Sequence, residues 1–278
     1  MSKLKRHFLV VAAASRGARI FIKNALRQGH DVTAMCRAQS DHEALNRITK
    51  ILNETKLTES NIPQAKNRGT LKATNISILC PESYNSILTN DLSVDAICCF
   101  VGVTKVKDML DSKYSIYTDT ISAIVEGMKQ SRWVETFYHG SVGTEGIPGA
   151  SVTAWPANYN VIANIMPVIF PVYKNVTESE NILAQAASEG LKYVIFRPAA
   201  LKDRPAKRQY GYSFDITGLN KADHPLKHAK ISISREDVAE EILRVTTLPE
   251  QERKKWHGHG VYIVDMKNSY YHHKISNK

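Results

Sequence analysis

No stretch of this 278-residue chain approaches the ~20 apolar residues of a membrane-spanning helix, so a helical membrane protein is excluded at the outset. Cysteine is scarce: Cys36, Cys80, Cys98 and Cys99 are the four, and they lack metal-ligand spacing. They read as reduced thiols of a cytoplasmic protein rather than a disulfide framework. There is no internal repeat and no low-complexity tract, which excludes solenoids and disordered linkers. Lys3, Lys5 and Arg6 ahead of Phe8–Ala14 imitate a secretory leader. The apolar run is short, however, and Arg16 and Arg19 follow at once, so a buried first strand is the better reading. Acidic charge is in deficit, with 27 Asp and Glu against 37 Lys and Arg. The basic residues are scattered, densest at Lys202–Arg208 and Arg253–Lys255. That pattern describes a solvated basic surface better than a nucleic-acid interface.

What is present is a real core, with 43% hydrophobic residues, arranged in alternating strands and helices. The pattern predicts strands at Phe8–Val11, Asp31–Cys36, within Leu71–Leu79, and at Ala96–Val101, Val134–His139, Tyr193–Phe196 and Val261–Val264. Helices are expected at Arg19–Arg27, Asp41–Leu52 with Asp41 as N-cap, Ile116–Lys129, Val176–Ser188 closed by Gly190, and Arg235–Arg244. Ser234 and Asp237 suggest a capping box at the start of the last helix. Strict β/α alternation implies an α/β fold, a Rossmann-type doubly wound parallel sheet, spanning residues 1–278 as one domain. Residues 201–232 read as an irregular, Gly-, Pro-, His- and Lys-rich segment suited to covering a substrate.

The turn after the first strand departs from the usual pattern. A dinucleotide fold would place Gly-x-x-Gly-x-x-Gly there, and this chain has Ala12, Ser15 and Ala18. Alanine and serine are the least bulky substitutes, and Gly17 survives beside the third slot. A helix N-terminus still offers free N–H groups to phosphate, although alanine is strained wherever the turn needs positive φ. The expected phosphate-binding residues are therefore Ala12, Ala14, Ser15, Arg16 and Gly17. Strand 2 ends at Cys36-Arg37 with no acidic residue at its tip. Asp or Glu there would bind the ribose 2′-hydroxyl of NAD, whereas Arg37, with Arg16, suits the 2′-phosphate of NADP. Both arginines can equally be ordinary surface residues.

With these residues in view, the chain resembles the short-chain dehydrogenase/reductase superfamily in its extended and atypical, NmrA-like branches. The resemblance runs from Phe8 to about Val264. It rests on the Ala12–Ala18 turn, Val94-Asp95-Ala96-Ile97 with Phe100, Val101 and Gly102 at the cofactor edge, and Phe137–Ser141 at the end of strand 5. Arg197–Leu201 and Ile233–Ala239 are its most recognisable parts. The family's active site is a serine followed by Tyr-x-x-x-Lys. Here the serine slot is Ser141 and the lysine slot Lys174, but the tyrosine slot is Phe170, which cannot donate a proton. Tyr173 beside Lys174, Tyr159, and the histidines His139, His224 and His228 are the substitute donors, His139 lying nearest the expected active edge. Lys174 is also expected to meet the cofactor ribose. Tyr270 and Lys274 have the literal spacing, which reads as chance in the tail.

The resemblance implies an NADP(H)-binding enzyme of small-molecule, biosynthetic metabolism, with NAD the less favoured cofactor. Without the family tyrosine, reduction of an iminium or conjugated acceptor, or a redox-neutral isomerisation or cyclisation, is favoured over plain alcohol dehydrogenation. A dinucleotide-sensing regulator without catalysis, or a Rossmann fold that has lost its dinucleotide, are the alternatives. No metal and no membrane partner is expected, and the oligomeric state is left open.

Overall fold

The protein is described by a computed structural model covering residues 5–57, 68–103, 106–141, 170–214 and 232–266. Its strands and helices, in chain order, are β1 (His7–Val11), α1 (Arg16–Arg27), β2 (Asp31–Met35), α2 (Asp41–Glu54), β3 (Leu71–Thr74), α3 (Pro81–Asn90), β4 (Ala96–Cys99), α4 (Val106–Leu110), α5 (Ile116–Lys129), β5 (Glu135–His139), α6 (Val172–Ala186), β6 (Tyr193–Pro198), β7 (Ala200–Lys202), β8 (Tyr210–Ser213), β9 (Ser232–Ser234), α7 (Arg235–Thr246), α8 (Glu250–Arg253) and β10 (His259–Asp265). The main sheet has eight strands in the order β3-β2-β1-β4-β5-β6-β10-β8. All neighbours are parallel except β8, which runs antiparallel at the edge. The doubly wound α/β reading is thus correct, and the strand order reverses between β1 and β4, where such sheets open a crevice at their carboxyl ends.

Two apolar layers flank the sheet because successive strand residues face opposite ways. Phe8, Val10 and Cys98 pack with Phe21 of α1, Ile48 of α2 and Ile242 of α7 on one side. Leu9, Val11 and Cys99 pack with Tyr84 of α3, Ile124 of α5 and Leu183 of α6 on the other. Cys98 and Cys99 therefore point to opposite faces, as expected. Burial raises both thiols, Cys99 to about 12, which keeps them inert.

Several boundaries differ from the sequence reading for local reasons. α1 starts at Arg16 rather than at Arg19, because Ser15 is its N-cap and accepts the Ala18 amide at 3.4 Å. Ser40, not Asp41, caps α2 by accepting the Glu43 amide, while Asp41 accepts the Asn75 amide and ties α2 to the end of β3. Ser234 does cap α7, taking the Glu236 and Asp237 amides. The capping box is not closed as expected: the Asp237 carboxylate accepts the Lys207 and Arg208 amides instead. α6 begins four residues earlier than expected, just after Pro171, and Gly190 closes it with φ of 111°. The described part of the supposedly irregular segment contributes β7 and β8, and β7 pairs with β9 in a separate two-stranded ribbon. α3 was not anticipated.

A polar cluster seals the amino end of the sheet. Glu135 at the start of β5 accepts from Arg6 at 2.7 Å and Arg253 at 2.9 Å, with His257 3.0 Å away. Arg6 also donates to the Thr246 carbonyl at the end of α7. Burial alone would raise the Glu135 carboxyl, but His257, Arg253 and Arg6 outweigh it and hold it down at about 2.

Candidate active site

The site is built at the carboxyl ends of β1, β4, β5 and β6. Beyond β1 the chain turns at Ala12, whose φ is 57°, a left-handed conformation usually reserved for glycine. The Ser15 amide donates to the Ala12 carbonyl at 2.9 Å, closing the turn, and the Arg19 guanidinium reaches back to the Ala14 carbonyl at 3.0 Å. The family's first glycine position thus keeps its backbone shape with alanine in it. Ala12→Gly is expected to stabilise the protein by roughly 0.5–1 kcal/mol, since relief of the strain exceeds the added flexibility of the unfolded chain. Thermal or urea unfolding of the variant checks this, and an unchanged or lower midpoint would mean that the turn is unstrained.

The turn remains fit for phosphate. Among the described residues, nothing accepts from the amides of Arg16 and Gly17 at the first turn of α1. Gly17 lies flush against Phe100: a Cβ there would sit 3.3 Å from its ring. Small residues at the turn therefore leave the helix end approachable. Arg37 at the end of β2 is exposed, and Arg16 is exposed but pairs with Asp203. Of the three residues expected at the cofactor edge after β4, Phe100 and Val101 bury their side chains in the two core layers. Only Gly102 stays exposed, so Phe100 and Val101 can line a ligand only through their backbone.

At the end of β5 the structure brings Ser141 and Tyr173 together, with a hydrogen bond between their side chains. The start of α6 just after Pro171 makes this possible: the Tyr173 amide donates to the Phe170 carbonyl and the Lys174 amide to the Pro171 carbonyl, so both residues lie in the first turn. Burial raises the Tyr173 phenol while the Ser141 bond opposes the rise, and the phenol is protonated at neutral pH. Lys174, one residue on, is exposed. Nearby, the Tyr117 hydroxyl accepts the Val103 amide at 3.1 Å, and burial pushes that phenol up to about 12. Asn175 of α6 accepts the Tyr117 amide at 3.0 Å and donates to Thr118, fixing α6 against α5.

His139 does not fit a proton donor near neutral pH. Its ring lies 5.9 Å from that of Phe100, and burial, helped by Arg235, pushes it down to about 4, leaving it neutral. Tyr159, His224 and His228 lie outside the described residues.

Behind Ser141 is a buried ion pair. Arg197 of β6, 2% exposed, donates to Glu180 of α6 at 2.6 Å, and also to the Tyr262 hydroxyl at 3.1 Å. Gly140 packs on this pair so closely that a Cβ would lie 2.9 Å from the Glu180 carboxylate. Gly260 does the same on the other side, 2.4 Å from the guanidinium. The pair thus ties α6, β6 and β10 together next to the serine. Glu180 gave no sign in the sequence. The sequence shows the Arg197-Pro198 turn after β6, but not the partner of Arg197.

The model of a family described as NAD(P)H-binding matches residues 58–249, more than half of the chain. The chain belongs to this NAD(P)H-binding family. The match begins after β2 and so does not include the Ala12–Gly17 turn or Arg37. Solved structures agree in fold. A short-chain dehydrogenase/reductase from Veillonella parvula DSM 2008 superposes with a TM-score of 0.62 at 15% identity, over 96% of this chain and 97% of that one. A wide-type short-chain dehydrogenase/reductase from the same organism, solved in complex with NADP, gives 0.61 at 15% identity over 96% and 98%. An oxidoreductase from Lactococcus lactis gives 0.60 at 14% identity over 94% and 92%. No curated protein matches the chain. The short-chain dehydrogenase/reductase likeness read from the sequence is borne out, and no helix among the described residues is long and apolar enough to cross a membrane.

Proposed function

We propose that the protein is an NADP(H)-dependent reductase of a small carbonyl, iminium or conjugated acceptor. The hydrogen bond between Ser141 and Tyr173 carries this reading, because it supplies a protonated phenol beside the serine although the family tyrosine slot holds Phe170. Carbonyl reduction, disfavoured by the sequence, becomes as well supported as iminium or enone reduction. The dinucleotide, when bound, supplies the hydride. For a carbonyl, Ser141 holds the oxygen and the Tyr173 hydroxyl gives it a proton as hydride reaches the carbon; for an enone the same proton goes to the enolate, and an iminium takes hydride without one. Arg16 and Gly17 present their amides to phosphate, with Ala12, Ala14 and Ser15 shaping the turn. Arg37 meets the 2′-phosphate, Lys174 the ribose, and the backbone of Phe100, Val101 and Gly102 borders the crevice. The wide-type relative solved with NADP supports the choice of cofactor.

NADPH, NADP and NADH titrations followed by tryptophan fluorescence and melting temperature test this directly. At about 100 times Kd, binding stabilises the fold by about 2.7 kcal/mol, a rise of several degrees. NADPH is expected to bind at least about tenfold more tightly than NADH, and Arg37→Ser to remove that preference. No shift with any nucleotide would overturn the reading. Binding without oxidation of NADPH by any carbonyl, imine or enone would point to a dinucleotide-sensing regulator.

A further inference from the structure

The first residue of α1 and the first residue of α7 are both arginines, and one carboxylate holds both. Asp203 pairs with Arg16 through one oxygen and accepts from Arg235 Nε at 2.7 Å through the other. It thus places a negative charge between two neighbouring helix N-termini, beside the amides of Arg16 and Gly17, which have no acceptor among the described residues. The segment that carries it is otherwise basic, with Lys202, Arg204, Lys207 and Arg208 around the single acid.

The rest of this segment is anchored without Asp203. Glu236 accepts the Ala206 amide at 2.9 Å, and Asp237 the Lys207 and Arg208 amides at 3.1 and 2.8 Å. Arg208 pairs with Glu240, and Arg204 with Asp265. Arg16 and Asp203 are both about half exposed, 55% and 52%, so their own pair is weak and readily exchanged.

We infer that Asp203 is a displaceable anion at the phosphate turn: it occupies Arg16 in the free protein, and a dinucleotide phosphate takes its place. This rests on the cofactor reading above. Asp203 then lowers nucleotide affinity and makes Arg16 available only when phosphate arrives. On release it keeps Arg235 as partner, so nothing is left uncompensated and the segment stays anchored to α7.

The test is a double-mutant cycle in the full-length protein, with NADPH affinity read by fluorescence and melting temperature measured for every variant. Asp203→Asn is expected to bind NADPH about fivefold more tightly than the parent, an effect of the size expected for removing an exposed competing charge. Asp203→Ser should do the same, which guards against a peculiarity of one substitution. In an Arg16→Ala background the gain should vanish. Inorganic pyrophosphate and 2′,5′-ADP as separate ligands identify the phosphate involved, and a gain with either one supports the proposal. Unchanged or weaker NADPH binding by both Asp203 variants overturns it while leaving the cofactor reading intact. A gain that persists without Arg16 also overturns it, since a general charge effect would then suffice. Failure of every variant to bind any nucleotide overturns the cofactor reading and this inference together.

Discussion

Glu180→Ala is expected to destabilise the protein by about 3–5 kcal/mol, the cost of leaving a buried cation without its counterion. Arg197 has no room to turn toward water: it is 2% exposed, and Gly260 abuts its guanidinium. The melting temperature should fall by roughly 10 °C, at about 2–4 °C per kcal/mol for a chain of this size. Replacing both partners by apolar residues of similar volume, Glu180→Leu with Arg197→Met, should recover much of the loss. A fall of less than about 1 kcal/mol for Glu180→Ala would mean that Arg197 is compensated elsewhere. The pair lies directly behind Gly140, so a destabilised variant should also lose the alignment of Ser141 with Tyr173.

Tyr173→Phe should reduce NADPH-dependent turnover by about 10²–10⁴-fold while leaving NADPH affinity and melting temperature nearly unchanged. The substitution removes one hydroxyl, the one bonded to Ser141, and keeps the ring that packs at the start of α6. Oxidation of NADPH at 340 nm against carbonyl, imine and enone acceptors provides the measurement. Turnover that survives Tyr173→Phe but is lost in Lys174→Ala would assign the proton to Lys174. An equal loss of nucleotide binding in Tyr173→Phe would make the phenol a binding group instead.

The difference between Tyr173 and Lys174 shows where the sequence is legible and where it is not. Helix and strand periodicity is local, so β1, β2, β4, β5 and β6 could be located from their apolar runs, and the parallel sheet followed from their alternation. The Ala12–Ala18 turn was also legible, because its departure from glycine is a statement about neighbouring residues; the structure adds that Ala12 takes the left-handed conformation anyway. Ser141 and Tyr173 were each named as candidates, but their bond to one another was not legible, because the expected signal is two residues four apart on one helix. Here the bond joins Ser141 to Tyr173, from the end of β5 to the first turn of α6. The same applies to Asp237, whose partners are the amides of Lys207 and Arg208 rather than its own helix end. Asp203 was visible only as the single acid in a basic run, and that pattern does not say which arginines it meets.

The cluster around Glu135 has a consequence for how the chain is made. β1 leaves the ribosome well before α7 and lies inside the sheet, yet its flanking Arg6 is completed by the carbonyl of Thr246, 240 residues later. Glu135 likewise waits for Arg253 and His257. At about 5–20 residues per second, an early strand spends many seconds beside partners that do not yet exist. The nascent chain must therefore carry β1, β4 and β5 as an unsealed sheet until α7 and α8 have emerged. A chaperone that shields apolar strands during that interval would act on this protein before α8 is translated.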